Sequence, residues 1–143
     1  MAAQAALMST PLRDHPDVKL LTSGKVREVY ELKEDPNHLL FVTTDRVSAF
    51  DIVLANGIPQ KGAVLTMLSK FWFELFSKEL SDVKTHFVSM GLPSSLKAKL
   101  PKDVVTAVEP RSMVVKRLEM LPLESICRGY ISGEHFPTTD YED

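Results

Sequence analysis

Between Val18 and Val42, strand-like and turn-like segments alternate too closely for anything but an antiparallel arrangement. Val18 to Thr22 reads as a short strand and Ser23-Gly24 as a turn. Val26 to Leu32 is a second strand, with Val26, Tyr30 and Leu32 on one face and Val29 on the other. Glu34-Asp35-Pro36-Asn37 is a turn by composition. Leu39-Leu40-Phe41-Val42 is a continuous apolar run of the kind found in a central strand. Parallel strands need crossovers of about a dozen residues or more, and these connections are far shorter. The segment therefore predicts an antiparallel meander.

A helix is expected next. Val64, Leu65, Leu68, Phe71, Trp72, Leu75 and Phe76 recur at spacings of three and four, which predicts an amphipathic helix whose apolar stripe packs on the sheet. His86 to Met90 and Arg111 to Glu119 read as further strands. The second of these puts Val114, Lys116 and Leu118 on one face and Met113, Val115 and Arg117 on the other. Ser94 to Leu100 is a short helix closed by Pro101, and Leu123 to Ile131, after Pro122, is expected to be extended. Residues 1–17 are polar and Pro-containing and are expected to form a flexible lead-in. The predicted fold class is α+β: an antiparallel sheet with one main packing helix.

Composition narrows function by exclusion. A chain of 143 residues, 44% hydrophobic and 25% charged, suits one soluble globular domain. A net charge of -2 lacks the basic excess of a general nucleic-acid or membrane-surface binder, so neither partner is expected. No apolar run approaches the roughly 20 residues of a membrane span. The first residues lack the basic and long apolar regions of a secretory signal, so the expected location is the cytoplasm. The single cysteine, Cys127, has no histidine near it in sequence and reads as a buried structural thiol. His15, His38, His86 and His135 show no metal-ligand spacing, and no metal site is assigned in this chain.

Four segments could carry chemistry. Ser23 to Tyr30 sets a glycine beside Lys25 and Arg27. A glycine turn can approach a phosphate that flanking cations neutralise, and the same residues also make an ordinary solvated turn. The segment lacks the spacing of a Walker A loop and the triple glycine of a kinase or dinucleotide-binding loop. Thr43 to Asp51 gathers Asp45, Arg46, Ser48 and Asp51 after the apolar strand, as a binding loop or as a self-capped turn. Lys116, between Val114 and Leu118 on a strand face, needs an anion or a route to water. Glu124 and Arg128 lie four apart in an apolar stretch, as a mutual ion pair or as functional charges. An extended backbone would keep them on one face but far apart.

In order and spacing, Gly24 to Tyr30, Thr44 to Asp51, Gly57-Ile58-Pro59-Gln60-Lys61-Gly62, and Leu121-Pro122-Leu123-Glu124 with Arg128-Gly129-Tyr130 resemble the SAICAR synthase family over residues 18 to 133. That resemblance implies an ATP-dependent ligase of purine biosynthesis. ATP would activate the carboxylate of carboxyaminoimidazole ribonucleotide as an acyl phosphate, and L-aspartate would displace the phosphate to form an amide, with Mg²⁺ accompanying ATP. It also implies a first lobe like a protein-kinase N-lobe. Carried over by position, Gly24, Lys25, Val26 and Arg27 would cover the ATP phosphates and Val29 would line the adenine pocket. Met120 would lie in the hinge that contacts adenine. Lys116 would sit in the nucleotide cleft and serve catalysis. Asp45, Ser48 and Asp51 would border the imidazole substrate. Glu124 would act at the imidazole carboxylate or a metal, and Arg128 would hold the ribotide phosphate. From Glu134 to Asp143 the family pattern is expected to lapse into a divergent, non-native ending. The chain would then be an ATP-binding lobe awaiting a second lobe, weakly active or inactive alone. The alternative is a non-catalytic nucleotide-binding or interaction fragment.

Overall fold

The computed structural model describes residues 5–80, 82–123, 125–127 and 129. β1 (Val18–Ser23), β2 (Arg27–Leu32) and β3 (Asp35–Thr43) form the expected meander, every pair antiparallel. Its second turn is tighter than its composition suggests. Leu32 already pairs with Asp35, so the chain reverses at Lys33-Glu34, and Pro36 and Asn37 lie within β3. Two short strands, β4 (Ser48–Ala49) and β5 (Ile52–Val53), then make a separate hairpin ahead of α1 (Lys61–Glu79). β6 (Phe87–Met90), α2 (Ser94–Lys97), α3 (Lys102–Val108), a 3-10 turn at Glu109–Arg111 and β7 (Ser112–Lys116) complete the order. β7 lies beside β3 and β6 forms the far edge, giving a five-stranded sheet ordered β1-β2-β3-β7-β6. The fold is α+β with an antiparallel sheet, as expected.

Period-two alternation gives the sheet two different faces. Tyr30, Leu32, Leu40 and Val42 point to one side and bury against Leu12, Leu92, Leu96 and Val108. The lead-in thus supplies core: Leu12 is fully buried and Thr10 nearly so. One leucine among polar residues has no period to read, so this role shows only after folding. α3 has no clear sequence signal either, because Val104, Val105 and Val108 favour strands. Burial of Val108 against the sheet outweighs that preference.

The seating of α1 corrects the sequence reading. The helix buries Gly62, Ala63 and Thr66, while Val64, Leu68, Phe71 and Trp72 of the expected packing stripe are each at least half exposed. The physical reason lies at its first turn. A Cβ on Gly62 would clash with the Thr43 carbonyl oxygen and meet the Arg111 guanidinium at 3.0 Å, so only small residues allow this close approach. Thr66 continues the contact, its hydroxyl donating to the Gly62 carbonyl at 2.8 Å and meeting the Thr43 hydroxyl at 3.1 Å. Farther along, Phe73 stacks on Phe87 and meets the His86 ring edge-on. The larger apolar residues are thereby turned outward.

β7 ends at Lys116, short of the expected Glu119, and residues 117–123 follow in no regular element. Leu118, Met120, Leu121, Leu123 and Ile126 are exposed, and so is Cys127, contrary to the expected buried thiol. Apolar sequence around a cysteine does not bury it when the segment lies beyond the last strand and its apolar residues are themselves exposed. Glu124, Arg128 and the Glu134–Asp143 tail lie outside the described residues, as do Tyr130 and Ile131; the described residues of the stretch expected to be extended, 123, 125–127 and 129, lie in no strand. Replacing Gly62 with Ala is expected to lower the stability of the chain by about 2 kcal/mol or more, because the new methyl group meets backbone that cannot rotate away. Urea denaturation checks this, with Ala63→Gly, which adds no atom, as the milder comparison.

Candidate functional site

On the sheet face opposite the core, a cavity of ≈350 Å³ is lined by Arg27, Leu39, Phe41, His86, Lys116, Leu118, Glu119 and Met120. Its volume falls in the range of small-molecule sites. A second depression, near Asp17 and Lys99, holds only ≈20 Å³, space for a single water. The larger cavity brings together Arg27, Lys116 and Met120, three of the residues expected at ATP. Val29 stands on the same face, opposite Phe41, beside the lining residues rather than among them. In sequence, Leu39 and Phe41 stand out only as part of an apolar run. Alternation with the buried Leu40 and Val42 could have placed them on the open face. His86 has no sequence signal.

The electrostatics of the cavity are unbalanced. Arg27 stacks its guanidinium over the Phe41 ring at 5.0 Å, and its Nε is buried without a hydrogen-bond partner among the described residues. Burial lowers the pKa of Arg27 from its usual value. The Lys116 ammonium forms no hydrogen bond or ion pair among the described residues. His86, set between Phe41 and Phe73, has its pKa lowered, first by burial and then by the Arg27 charge. Two cationic groups, one with a buried donor unmet among the described residues, and one carboxylate, Glu119, face a cavity otherwise lined largely by apolar side chains. That arrangement suits a planar base against Leu39, Phe41 and Met120 with an anion at Arg27 and Lys116.

Gly24, Lys25 and Val26 form the tip of the β1–β2 hairpin, next to Arg27. A Cβ at Gly24 would meet only the Arg27 carbonyl oxygen, at 3.4 Å, so little inside the chain demands glycine here. Lys25 forms an exposed ion pair with Asp51, tying the hairpin tip to the β4–β5 hairpin that also carries Ser48. Phe50 and Asp51 hold that hairpin's turn in the left-handed region, at φ 48° and 65°, and Phe50 is almost fully exposed. Hydrogen bonding to Lys25 lowers the Asp51 pKa.

Asp45 is placed differently from Ser48 and Asp51. It is fully buried, one oxygen accepting from the Gly62 amide at 2.9 Å and from Arg111 at 2.6 Å, the other from the Leu7 amide at 2.8 Å. Burial pushes its pKa up, but these donors outweigh burial and lower it overall. Its carboxylate anchors the loop to α1 and to the 3-10 turn. Glu28 is the other fully buried carboxylate among the described residues, and nothing in the sequence gives it a structural role. It accepts from the Thr10 amide, the Tyr30 hydroxyl, Arg13 and Arg46. Burial pushes its pKa up, but hydrogen bonds from Arg13, Tyr30 and Thr10 prevail and bring it to about 2. Among the described residues no group of three or more His, Cys, Asp or Glu could hold a metal ion, and no helix is long and apolar enough to cross a membrane.

These charges have measurable consequences. Glu28 titrates below its ordinary value in the folded chain, so its stabilisation is complete above about pH 4.5 and fades as pH falls toward about 2. The urea midpoint of the native chain should therefore drop more steeply across that window than that of Glu28→Gln, which should be less stable by roughly 3 kcal/mol near neutrality. Arg27→Ala should raise the His86 pKa toward the ordinary imidazole value, since a neighbouring positive charge is removed. An NMR titration of the imidazole carbons reads this directly.

The SAICAR synthetase family model matches residues 20–142, well past Gly133, where the resemblance was expected to stop. A phosphoribosylaminoimidazole-succinocarboxamide synthase of Schizosaccharomyces pombe is 47% identical over 131 residues, covering 90% of this chain and 40% of the relative. The Saccharomyces cerevisiae enzyme of that name is 43% identical, covering 80% and 37%. A solved structure titled SAICAR-synthase from Saccharomyces cerevisiae complexed SAICAR superposes with a TM-score of 0.72 at 40% identity, over 89% of this chain and 42% of that one. The chain spans about 40% of the length of these relatives. With the antiparallel sheet, the cleft on its open face and a family match over most of its length, the chain belongs to the SAICAR synthetase family.

Proposed function

We propose that this chain forms the nucleotide-binding wall of an ATP-dependent ligase that joins L-aspartate to carboxyaminoimidazole ribonucleotide in purine biosynthesis. The observation that carries the reading is the cavity where Arg27, its buried Nε unmet among the described residues, and Lys116, unpaired among them, face the apolar Leu39, Phe41 and Met120. Adenine would lie against the apolar residues, and the phosphates would reach Arg27, Lys116 and the Gly24–Val26 turn. Mg²⁺, arriving with ATP, would offset phosphate charge. Ser48 and Asp51 border the imidazole substrate in this reading, and Asp45 supports them from below. Glu124 at the imidazole carboxylate or a metal, Arg128 at the ribotide phosphate, a likeness to a protein-kinase N-lobe and a cytoplasmic location belong to the same proposal. The name of the yeast structure, a complex with SAICAR, supports the substrate class.

The reaction transfers the γ-phosphoryl group of ATP to the imidazole carboxylate. The aspartate amine attacks that carbonyl carbon, phosphate leaves with the electron pair of the C–O bond, and the nitrogen loses a proton. A site of this kind needs its phosphate contacts shielded from water. A second reading, a binding fragment without turnover of its own, draws on the exposed Leu118, Met120 and Leu121 at the rim.

Calorimetry of the chain with ATP-Mg²⁺ tests what the two readings share. Lys116→Ala is expected to weaken ATP about tenfold while leaving adenosine within about twofold, since it removes an anion contact and not the base platform, whereas Arg27→Ala should weaken ATP about tenfold and also alter adenosine binding, because Arg27 stacks on Phe41. Aspartate-dependent release of ADP in the presence of carboxyaminoimidazole ribonucleotide decides between the two readings. Release supports the ligase, and binding without release supports the fragment. No binding of ATP by the native chain sinks both.

A further inference from the structure

Arg46 lies directly after the substrate-loop aspartate, and none of the hydrogen-bond partners of its side chain among the described residues lines the cavity. Its side chain is buried, and its N–H donors are committed to four acceptors. Nε donates to the Lys25 carbonyl at 3.0 Å and Nη2 to the Gly24 carbonyl at 2.7 Å. Nη1 donates to the Met8 carbonyl at 2.8 Å and to Glu28 at 3.2 Å. The next carbonyl along the turn, that of Val26, is taken from the same side of the chain by the Thr44 amide at 2.8 Å and the Thr44 hydroxyl at 2.9 Å. Three successive carbonyls of the hairpin tip are thus drawn toward residues 44–46.

A trans peptide points its C=O and its N–H in opposite directions. There are no cis peptides among the described residues. Drawing the Gly24 and Lys25 carbonyls onto one guanidinium therefore turns the Lys25 and Val26 N–H groups away from it, side by side. Neither N–H has an acceptor among the described residues. Successive unsatisfied amides bind anions, and here Lys25 and Arg27 flank them. The one internal neighbour of a Cβ at Gly24 leaves that edge of the turn open to a ligand.

We infer that Arg46 is a positioning residue that fixes the Gly24–Val26 turn with its Lys25 and Val26 amides presented to a phosphoryl group of the nucleotide. The inference rests on the nucleotide reading above and deepens it. Arg46→Lys keeps the charge but replaces the rigid planar fork with a rotatable ammonium, so the two peptide planes would be held less firmly. Glu28 and the Met8 carbonyl hold the guanidinium from its other side, which links the hairpin tip to the lead-in.

The test is an amide NMR titration of the full chain with inorganic tripolyphosphate, with adenosine, and with ATP. Tripolyphosphate is expected to shift the Lys25 and Val26 amides and to bind Arg46→Lys about tenfold more weakly, with adenosine affinity unchanged. Lys25→Ala should lose affinity in a salt-dependent way while its residue 25 and Val26 amides still shift. If tripolyphosphate leaves both amides unshifted, or binds Arg46→Lys as well as the native chain, the inference is overturned. Should Arg46→Lys fail to fold, hydrogen exchange in the native chain decides: the Lys25 and Val26 amides must exchange fast when free and slow with tripolyphosphate, and unchanged rates overturn the inference. Adenosine that shifts nothing around Phe41 and Met120, while tripolyphosphate shifts the turn, would instead overturn the nucleotide reading and leave the anion-binding turn standing.

Discussion

Burial of the Glu28 carboxylate is the constraint on which the rest of the structure depends. A charge removed from water must be met by donors on every side, and removing one partner of such a group costs far more than an exposed pair is worth. Glu28 meets this demand with Thr10 and Arg13 from the lead-in, Tyr30 from its own strand and Arg46 from the loop after β3. One carboxylate therefore fixes two separate stretches of chain, the lead-in and the loop after β3, relative to the β1–β2 hairpin. Tyr30 feels the reverse effect: its own burial and the neighbouring carboxylate both push its pKa up. It stays a neutral donor.

The second buried carboxylate, Asp45, has a comparable role farther along the chain. It joins the loop to the first turn of α1 through the Gly62 amide and to the end of the 3-10 turn through Arg111, itself buried. Between them, Glu28 and Asp45 define a loop whose hydrogen-bonding side is turned inward. Arg46, on that same loop, connects this interior network to the hairpin tip. The open face of the sheet receives the opposite arrangement, with a donor on Arg27 and the Lys116 ammonium both unmet among the described residues. Interior charges are satisfied by the chain, and cleft charges are left for something else. That contrast separates a structural ionic network from a binding site.

The distribution of apolar surface agrees with membership of a longer family. α1 turns Val64, Met67, Leu68, Phe71 and Trp72 outward, and Leu118, Met120, Leu121, Leu123 and Ile126 follow the last strand without cover. Apolar exposure on this scale is characteristic of surfaces that meet other protein. In the relatives that match, more than half of the length lies outside the aligned region.

The sequence by itself determined the meander, the helix, the α+β class and the family. Turn chemistry at Ser23-Gly24, the apolar run at Leu39 to Val42 and the spacing of Val64 to Phe76 are local signals, and local signals survive in one dimension. It also marked Arg27, Lys116 and Met120 as residues to watch. Only the tertiary structure decided which face of α1 is buried, because the close approach of Gly62 to Thr43 involves residues that no helical period connects. Only the tertiary structure put Leu12 in the core, Cys127 on the surface and His86 in the cleft. The sharpest case is the charged loop. Asp45, Arg46 and Asp51 look alike in sequence, yet Asp45 and Arg46 are interior and Asp51 is exposed. Whether a charge is buried depends on partners brought from distant segments, and long-range pairing is a property of the folded chain that local sequence does not encode.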